Sequence, residues 1–592
     1  MNRLVWFCFS SAALLAAVTS VSPPPCDSEI YCTGPILHQV QTAKLFDDDK
    51  YFVDMKLKAK PDVVLSAFLN LSNQMPNGTV PPARLREFLA ENFEKPGSEF
   101  EPWTPPDWHD KPKFLEGIAD LKLREWAGKI HHLWKSLGRK ISSGVRDHPE
   151  LYSQIHLPHP FVVPGGRFRE LYYWDSYWVV NGLLLSEMTD TASGMIRNFL
   201  YLVNRYGFVP NGGRIYYEKR SQPPFLTLMV ESYYQATKDK DFLREALPAL
   251  EQEYSFWMQN RSVAVKVDGG RAPAEPVPRG GDKEQLWMDL KAGAESGWDF
   301  SSRWYIGGEG LRDTRTSLIL PPDLNALLCL NERTLASFHR LLGDGDSAAR
   351  YDQAAARRQG AMEALLWDAE RGAWFDYSLV THSRHVELHP SNLSPVWARC
   401  YSRPEMGERA VQYLKASGAL RFPNGVPTSL SESGQQWDFP NAWPPLQHML
   451  ISGLSELPSD DSQQLAVDLA QRWIRSNWEA YTKYDAMFEK VSLSELPSDD
   501  SQQLAVDLAQ RWIRSNWEAY TKYDAMFEKY DVNGDGKPGG GGEYEVQLGF
   551  GWTNGVALQL LDQYGAVLTS GSRQVSAGVL LPLVICTALV LR

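Results

Sequence analysis

The sequence predicts an all-α fold, and three observations carry that expectation. Almost every ordered stretch repeats apolar residues at i, i+3, i+4 and i+7. Alternating strand patterns are scarce. Short Gly/Pro-rich links, such as Val209–Arg214 and Gly307–Gly310, separate the periodic stretches. In chain order the spacing predicts helices over Leu121–Ile141, Met195–Tyr206, Phe225–Ala236, Phe242–Met258, Leu324–Leu342, Ala348–Trp367 and Met406–Ala416. Helix after helix joined by short turns argues for antiparallel pairs within one long domain. Periodicity alone leaves open whether the pairs close into a ring or extend as a solenoid.

Composition narrows the class. The chain has 592 residues, 43% hydrophobic and 12% aromatic, ample for a large buried core. A net charge of −12 argues against nucleic acid or anionic lipid as a partner and favours a neutral ligand. Residues 1–22 read as a secretory signal: Arg3 supplies the positive region, Leu4–Val18 the apolar run, and Ser20 and Ser22 offer cleavage sites. Residues 570–592 read as a GPI-anchor signal whose tail is removed. Ser570-Gly571-Ser572 are small residues at the attachment site, Arg573–Ala577 a short spacer, and Gly578–Leu591 an apolar stretch too short to span a bilayer comfortably. The alternative for this tail is a single membrane span. The expected mature domain is 23–569, held on the extracellular face of the plasma membrane. Of the cysteines, Cys26 and Cys32 are close enough to close a small loop, while Cys329 and Cys400 fall in apolar helical stretches where buried free thiols are expected. No cysteine spacing matches zinc, and no cofactor is expected. Sequons at Asn70, Asn77, Asn260 and Asn392 agree with a secreted surface.

One internal repeat stands apart. Leu454–Lys490 recurs without a change as Leu493–Lys529. Structural repeats drift until only their buried pattern persists, so identity points to a recent tandem duplication or an error in the transcript. The fold has room for one helix here, and the other copy is expected as an outward insertion tethered at the Val491–Ser494 junction. Long surface insertions cost little closure entropy.

Two aromatic windows carry the chemistry. Pro164–Trp178 reads PGGRFRELYYWDSYW, and Gln436–Pro445 reads QWDFPNAWPP. Charged groups suit sugar hydroxyls, and flat rings suit the C–H face of a pyranose. Together, in this order, the windows resemble the two motifs of the trehalases, glycosidases that split α,α-trehalose into two glucoses with inversion. The resemblance covers roughly Tyr31 to Leu561. It implies an (α/α)6 toroid with the active site at its centre, here with an extra duplicated helical insertion.

Glycoside hydrolysis with inversion needs a protonated acid and an ionised base. Asp299, in GAESGWDFSSRW (Gly293–Trp304), lies between Trp298 and Phe300, where desolvation would raise its pKa. From composition alone it reads first as a helix N-cap. The resemblance makes it the catalytic acid and sets Gly297 against substrate. Glu528, in FEKYDV, precedes the glycine-rich run Gly536–Gly555; a lone Glu at a helix end is otherwise a solvated charge. The resemblance makes Glu528 the base and lets Glu543 contact sugar. Glu489, its duplicate, lacks both Tyr-Asp and the glycine loop.

The windows offer Arg167, Phe168, Trp174, Asp175, Trp437 and Asp438 as substrate contacts, and the resemblance implies the same of the loop residues Asn211, Arg220, Ser221 and Gln222. Arg167 and Asp175 would grip hydroxyls, and Phe168 and Trp174 would form stacking walls; Tyr172, Tyr173 and Tyr177 read as core. Apart from the duplication, the chain departs from the family in one place. Val267–Glu284 contains no Arg-Pro-Glu element, and nothing is carried onto Arg271 or Glu275. That gap and the inserted helix motivate the alternative of a catalytically impaired, sugar-binding cell-surface protein. A second alternative is a related glycosidase acting on α-glucans. Asp531, Asn533 and Asp535 imitate a calcium loop, but its twelfth position is Gly542 and Glu543 comes one residue late.

Overall fold

The structure, a computed structural model, describes residues 3–8, 24–267, 282–307, 310–484, 487, 490–492, 529–530, 547 and 549–570. Within these residues the ring closes. The inner helices are Asp175–Leu185, Leu226–Thr237, Pro322–Leu342, Ser394–Trp397, Pro444–Ser455 and Gly551–Tyr564; each touches the next, and the last packs on the first. The outer helices are Leu121–Leu137, Thr189–Tyr206, Lys240–Asn260, Gly345–Leu365, Pro404–Ala416 and Asp460–Tyr484, and they alternate with the inner ones along the chain. This is an (α/α)6 barrel, with the main apolar core between its two layers.

Local chemistry sets the helix ends. Asp120 and Asp239 accept backbone N–H bonds as N-caps of Leu121–Leu137 and Lys240–Asn260. Pro322 and Pro444 open inner helices, where a missing N–H costs nothing. Gly207 and Gly343 end Thr189–Tyr206 and Pro322–Leu342 with left-handed backbone. Asp120 also holds the far end of the domain, because its Oδ2 accepts the Ser570 N–H at 2.7 Å and the Ser570 hydroxyl at 2.9 Å.

The helix predicted over Leu121–Ile141 stops at Leu137. Gly138–Ile141 instead forms the middle strand between Phe100–Pro102 and Phe161–Val162. A Cβ at Gly138 would lie 2.5 Å from the Trp103 carbonyl oxygen, so only glycine lets the chain turn there. Arg3–Cys8, inside the expected signal, pairs antiparallel with Ser262–Val267; residues 9–23 and 571–592 lie outside the described residues.

A small N-terminal unit has its own core, built from residues such as Ile36, Phe52, Phe68 and Phe88, and the Cys26–Cys32 disulfide closes its first loop. A buried ion network fastens it to the barrel. Lys50 Nζ meets Asp54 at 2.5 Å and Glu170 at 2.9 Å, and Arg214 meets Glu99 at 2.5 Å. Burial opposes ionisation of Asp54, but Arg214 and Lys50 hold its carboxyl below the usual range.

Two sequence expectations need correction. Cys329 and Cys400 are not free thiols but a disulfide across 71 residues. The neighbouring inner helices Pro322–Leu342 and Ser394–Trp397 bring them together. Asn392 is not a surface acceptor: it is fully buried, with its amide donating to the Trp374 carbonyl at 2.8 Å and its Oδ1 accepting the His389 N–H. Asn70 and Asn77 are exposed.

The first copy of the repeat takes the barrel slot, as Asp460–Tyr484 packs on Pro444–Ser455 and Gly551–Tyr564. Of the second copy only Lys529 is described. Lys490–Ser492 pairs antiparallel with Asn441–Ala442 and parallel with Lys529–Tyr530, so Lys490 stands opposite Lys529.

Candidate active site

A cavity of about 240 Å³ opens among the loops that lead into the inner helices. Its first wall is the Pro164–Trp178 window. Gly166 has φ +59° and lies against Gln547, where a Cβ would fall 2.2 Å from Oε1. That approach lets the Arg167 N–H donate to Gln547 Oε1. The Arg167 guanidinium is gripped by Asp48, with Nε donating to Oδ2 at 2.9 Å and a second N–H to Oδ1. Burial pushes the Asp48 pKa up, yet the Arg167 hydrogen bond and charge leave it below the ordinary value. Asp175 is buried in the first turn of Asp175–Leu185, where the helix N-terminus favours its negative charge.

The aromatic walls interlock. Trp437 stacks on Trp443 with centroids 4.0 Å apart and planes 2° apart, and Trp174 lies 5.8 Å from Trp437 and 5.7 Å from Trp552. Phe168 meets Phe550 edge-on at 5.6 Å. Gly297 has φ +80°, and a Cβ there would lie 2.9 Å from the Trp174 ring, so glycine alone admits this approach.

The loop between Thr189–Tyr206 and Leu226–Thr237 supplies the amides. The Asn211 Nδ2 donates to the Ser221 carbonyl at 3.1 Å, and Gln222 Oε1 accepts the Trp174 N–H at 3.1 Å. Arg220 completes that side of the lining.

Asp299 projects into the cavity, partly exposed, after the fully buried Trp298. Its segment is clamped by the second window. Gln436 Nε2 donates to the Asp299 carbonyl, the Trp437 N–H donates to the Phe300 carbonyl at 3.0 Å, and Asp438 accepts from Ser301, Ser302 and Ser433. Arg303 anchors the far end on Asp323 and Asp376. Burial works against the Arg303 charge, but those two carboxylates hold its pKa above normal.

The structure thus gathers Arg167, Phe168, Trp174, Asp175, Asn211, Arg220, Gln222, Gly297, Asp299 and Trp437 around one space. Two expected contacts stand behind the wall instead. Asp438 is fully buried beneath Asp299, where burial raises its pKa against the hydroxyls that solvate it. Ser221 is also fully buried and donates to the Val209 carbonyl at 2.6 Å. Glu528, Glu543 and residues 268–281, where the Arg-Pro-Glu element is missing, lie outside the described residues.

Several lining residues escaped sequence reasoning: Asp47, Asp48, Asp49, Tyr172, Tyr217 and Trp552. A triple aspartate before an apolar run reads as a solvated turn, and nothing local announces its distant partner Arg167. Tyr172 is buried as expected, but its ring edges the cavity while its hydroxyl bonds Glu170 and Tyr217. No cluster of three or more His, Cys, Asp or Glu among the described residues could hold a metal. Carboxyls, guanidinium groups and amides between flat rings suit a neutral polyhydroxylated ligand.

The sequence profile of the trehalase family matches residues 44–275, 270–500 and 492–565. The chain is 48% identical over 576 residues to a trehalase of Homo sapiens, covering 93% of this chain and 92% of that one. It is 40% identical over 608 residues to a trehalase of Apis mellifera, covering 97% and 90%. A neutral trehalase structure from Saccharomyces cerevisiae superposes with TM-score 0.48 at 22% identity, over 69% of this chain and 75% of that one.

Proposed function

The chain belongs to the trehalase family, and on that premise we propose that the cavity splits α,α-trehalose into two glucose molecules, with Asp299 as acid and Glu528 as base. The observation that carries this reading is the convergence of Asp299 with two guanidinium groups, two amides and the tryptophan wall on one cavity. Similarity over 93% of the chain at 48% identity supports a working hydrolase over a sugar-binding protein without turnover.

Arg167, Asp175, Asn211, Arg220 and Gln222 hold the hydroxyls, while Phe168, Trp174 and Trp437 cover the ring faces and exclude water. Asp299 protonates the bridging oxygen as the glycosidic bond breaks. Glu528 draws a proton from water, whose oxygen attacks the opposite face of the anomeric carbon. One glucose leaves as the α anomer and the other forms as β. The support for Glu528 is its FEKYDV setting and the position of Phe550 and Trp552, near the end of the glycine-rich run that follows it, in the cavity wall. Glu543 serves as a further sugar contact from that run. A carboxyl separation of roughly 6.5–9.5 Å suits this geometry.

Proton NMR of the first products tests the mechanism. Equal α- and β-glucose before mutarotation is expected; α-glucose alone would exclude inversion. Asp299→Asn is expected to lower kcat by about a thousandfold, and unchanged turnover would remove Asp299 from the acid's role.

The location follows from the same reading. The signal over residues 1–22, the GPI-anchor signal over 570–592 and the exposed sequons Asn70 and Asn77 support secretion and anchoring at the outer face of the plasma membrane. Two disulfides fit an oxidising compartment. No helix among the described residues is long and apolar enough to cross a membrane. Release of the protein from cells by phosphatidylinositol-specific phospholipase C tests the anchor.

A further inference from the structure

Beside the sugar cavity lies a second one, of about 340 Å³, and its charge is unusual for so acidic a chain. Lys219, Arg220 and Lys291 line it, together with the aromatic residues Tyr216, Trp287 and Phe300. Among the described residues, two buried cationic donors here have no hydrogen-bond partner: Arg220 Nε and Lys291 Nζ. Leaving a buried charged donor unpaired is costly, so such groups are ordinarily satisfied.

The surrounding acids are already engaged. Glu295, four residues after Lys291, accepts from Arg261 at 2.7 and 3.0 Å and from the Ser221 N–H at 2.7 Å. Asp27 pairs with Lys219 at 3.0 Å but is itself almost fully exposed. Three cations, Lys219, Arg220 and Lys291, therefore share one cavity with little compensation. Burial, aided by repulsion from Arg220, Arg261 and Lys219 and opposed by Glu295, lowers the Lys291 pKa to about 8. The other half of the site is an aromatic face. Trp287 is 48% exposed at the rim, with Lys283 Nζ 4.6 Å from the centre of its ring and the rest of the indole facing outward.

We propose that the cavity between Arg220, Lys291 and Trp287 binds a hexose bearing an anionic group, phosphate or carboxylate. The cations take the anionic group, and the indole takes the C–H face of the ring. The volume falls at the small end of ligand sites, roughly 300–1,000 Å³, which suits a monosaccharide. Arg220 lines both cavities, so the two occupancies are coupled. An anion that engages Arg220 withdraws donors from the hydrolytic cavity and raises KM for trehalose. The coupling rests on the trehalase reading; the binding site does not.

Calorimetric titration of the full chain with D-glucose 6-phosphate, D-glucuronate, D-glucose and inorganic phosphate tests the site without any turnover assay. One or both hexose anions are expected to bind at least about tenfold tighter than glucose. Whichever binds tighter identifies the anionic group as phosphate or carboxylate. Lys291→Gln is expected to weaken that binding about tenfold, and Trp287→Ala, at an exposed ring that does not threaten folding, about fivefold. Both variants keep the trehalose turnover of the unsubstituted chain. Hexose anions that bind no tighter than glucose, or variants that bind them normally, would overturn the site. Inorganic phosphate binding as tightly as glucose 6-phosphate would remove the sugar from the aromatic face. An unchanged KM for trehalose with the hexose anion bound would overturn the coupling through Arg220.

Discussion

Asp438 and Ser301 are joined across 137 residues of sequence: the Ser301 hydroxyl donates to Asp438 Oδ1 at 2.9 Å beneath the cavity floor. The other oxygen of Asp438 accepts the Ser302 N–H at 2.7 Å and the Ser433 hydroxyl. This carboxylate therefore fixes the backbone directly after Asp299 without touching the cavity.

Asp438→Asn replaces one acceptor with a donor that faces donors. Asp299 then loses its fixed position, and a misplacement of this kind lowers kcat by about a hundredfold with little change in KM. Steady-state kinetics on trehalose checks the split; a purely structural loss would lower active-site concentration but leave the pH profile of the remaining activity in place, whereas a displaced acid shifts its acid–base limbs.

Asp48→Asn addresses Arg167. The aspartate holds the guanidinium from the N-terminal unit, 119 residues away in sequence. Removing its charge frees Arg167 to rotate, and KM for trehalose rises about tenfold with kcat nearly preserved. Equal KM values in the two proteins would show that Arg167 is positioned without Asp48.

The duplicated segment leaves two candidates for the base, Glu489 and Glu528. Their following lysines, Lys490 and Lys529, lie opposite each other on parallel strands beside Asn441–Ala442. Only Glu528 is followed by the glycine-rich run, so Glu528→Gln is expected to lower kcat by about a thousandfold while Glu489→Gln leaves it intact. Single-turnover measurements on both variants decide; the reverse pattern would transfer the role to the first copy.

Glu253 gives a pH-dependent stability. It is fully buried, and desolvation raises its pKa to about 8 although the Tyr173 hydroxyl bonds it at 2.5 Å. The folded protein keeps this proton after the unfolded chain has lost it, so stability falls as pH rises from the ordinary glutamate range towards 8. Glu253→Gln mimics the protonated form and removes that slope, with a gain of a few kcal/mol, on the order of 4, at pH 8 and almost none at pH 4. Melting temperatures of both proteins across that range test the sign.

The outer half of the barrel was legible in the sequence, and the inner half much less so. Thr189–Tyr206 and Lys240–Asn260 have one wet face, so their apolar stripes announce them. Asp175–Leu185 and Gly551–Tyr564 are buried on nearly every side, which erases the amphipathic period. The site follows the same logic. Motif residues that line the cavity sit in Gly- and Pro-rich turns that can be recognised locally. Asp48, Trp552 and the Cys329–Cys400 bond depend on partners distant in sequence that only tertiary packing brings close. Asp438 and Ser221 show the limit of motif reading, because a residue type suited to a ligand is equally suited to bracing the residue that meets it.

The rung between Lys490 and Lys529 gives the repeat an unexpected freedom. The chain leaves the framework at Ser492 and is back beside it at Lys529, so the span between them can change in length without moving either strand. Added or lost length can be absorbed there over generations as long as a glutamate like Glu528 still precedes the second strand, which makes this point beside the wheel of helices a natural place for new modules to be grafted.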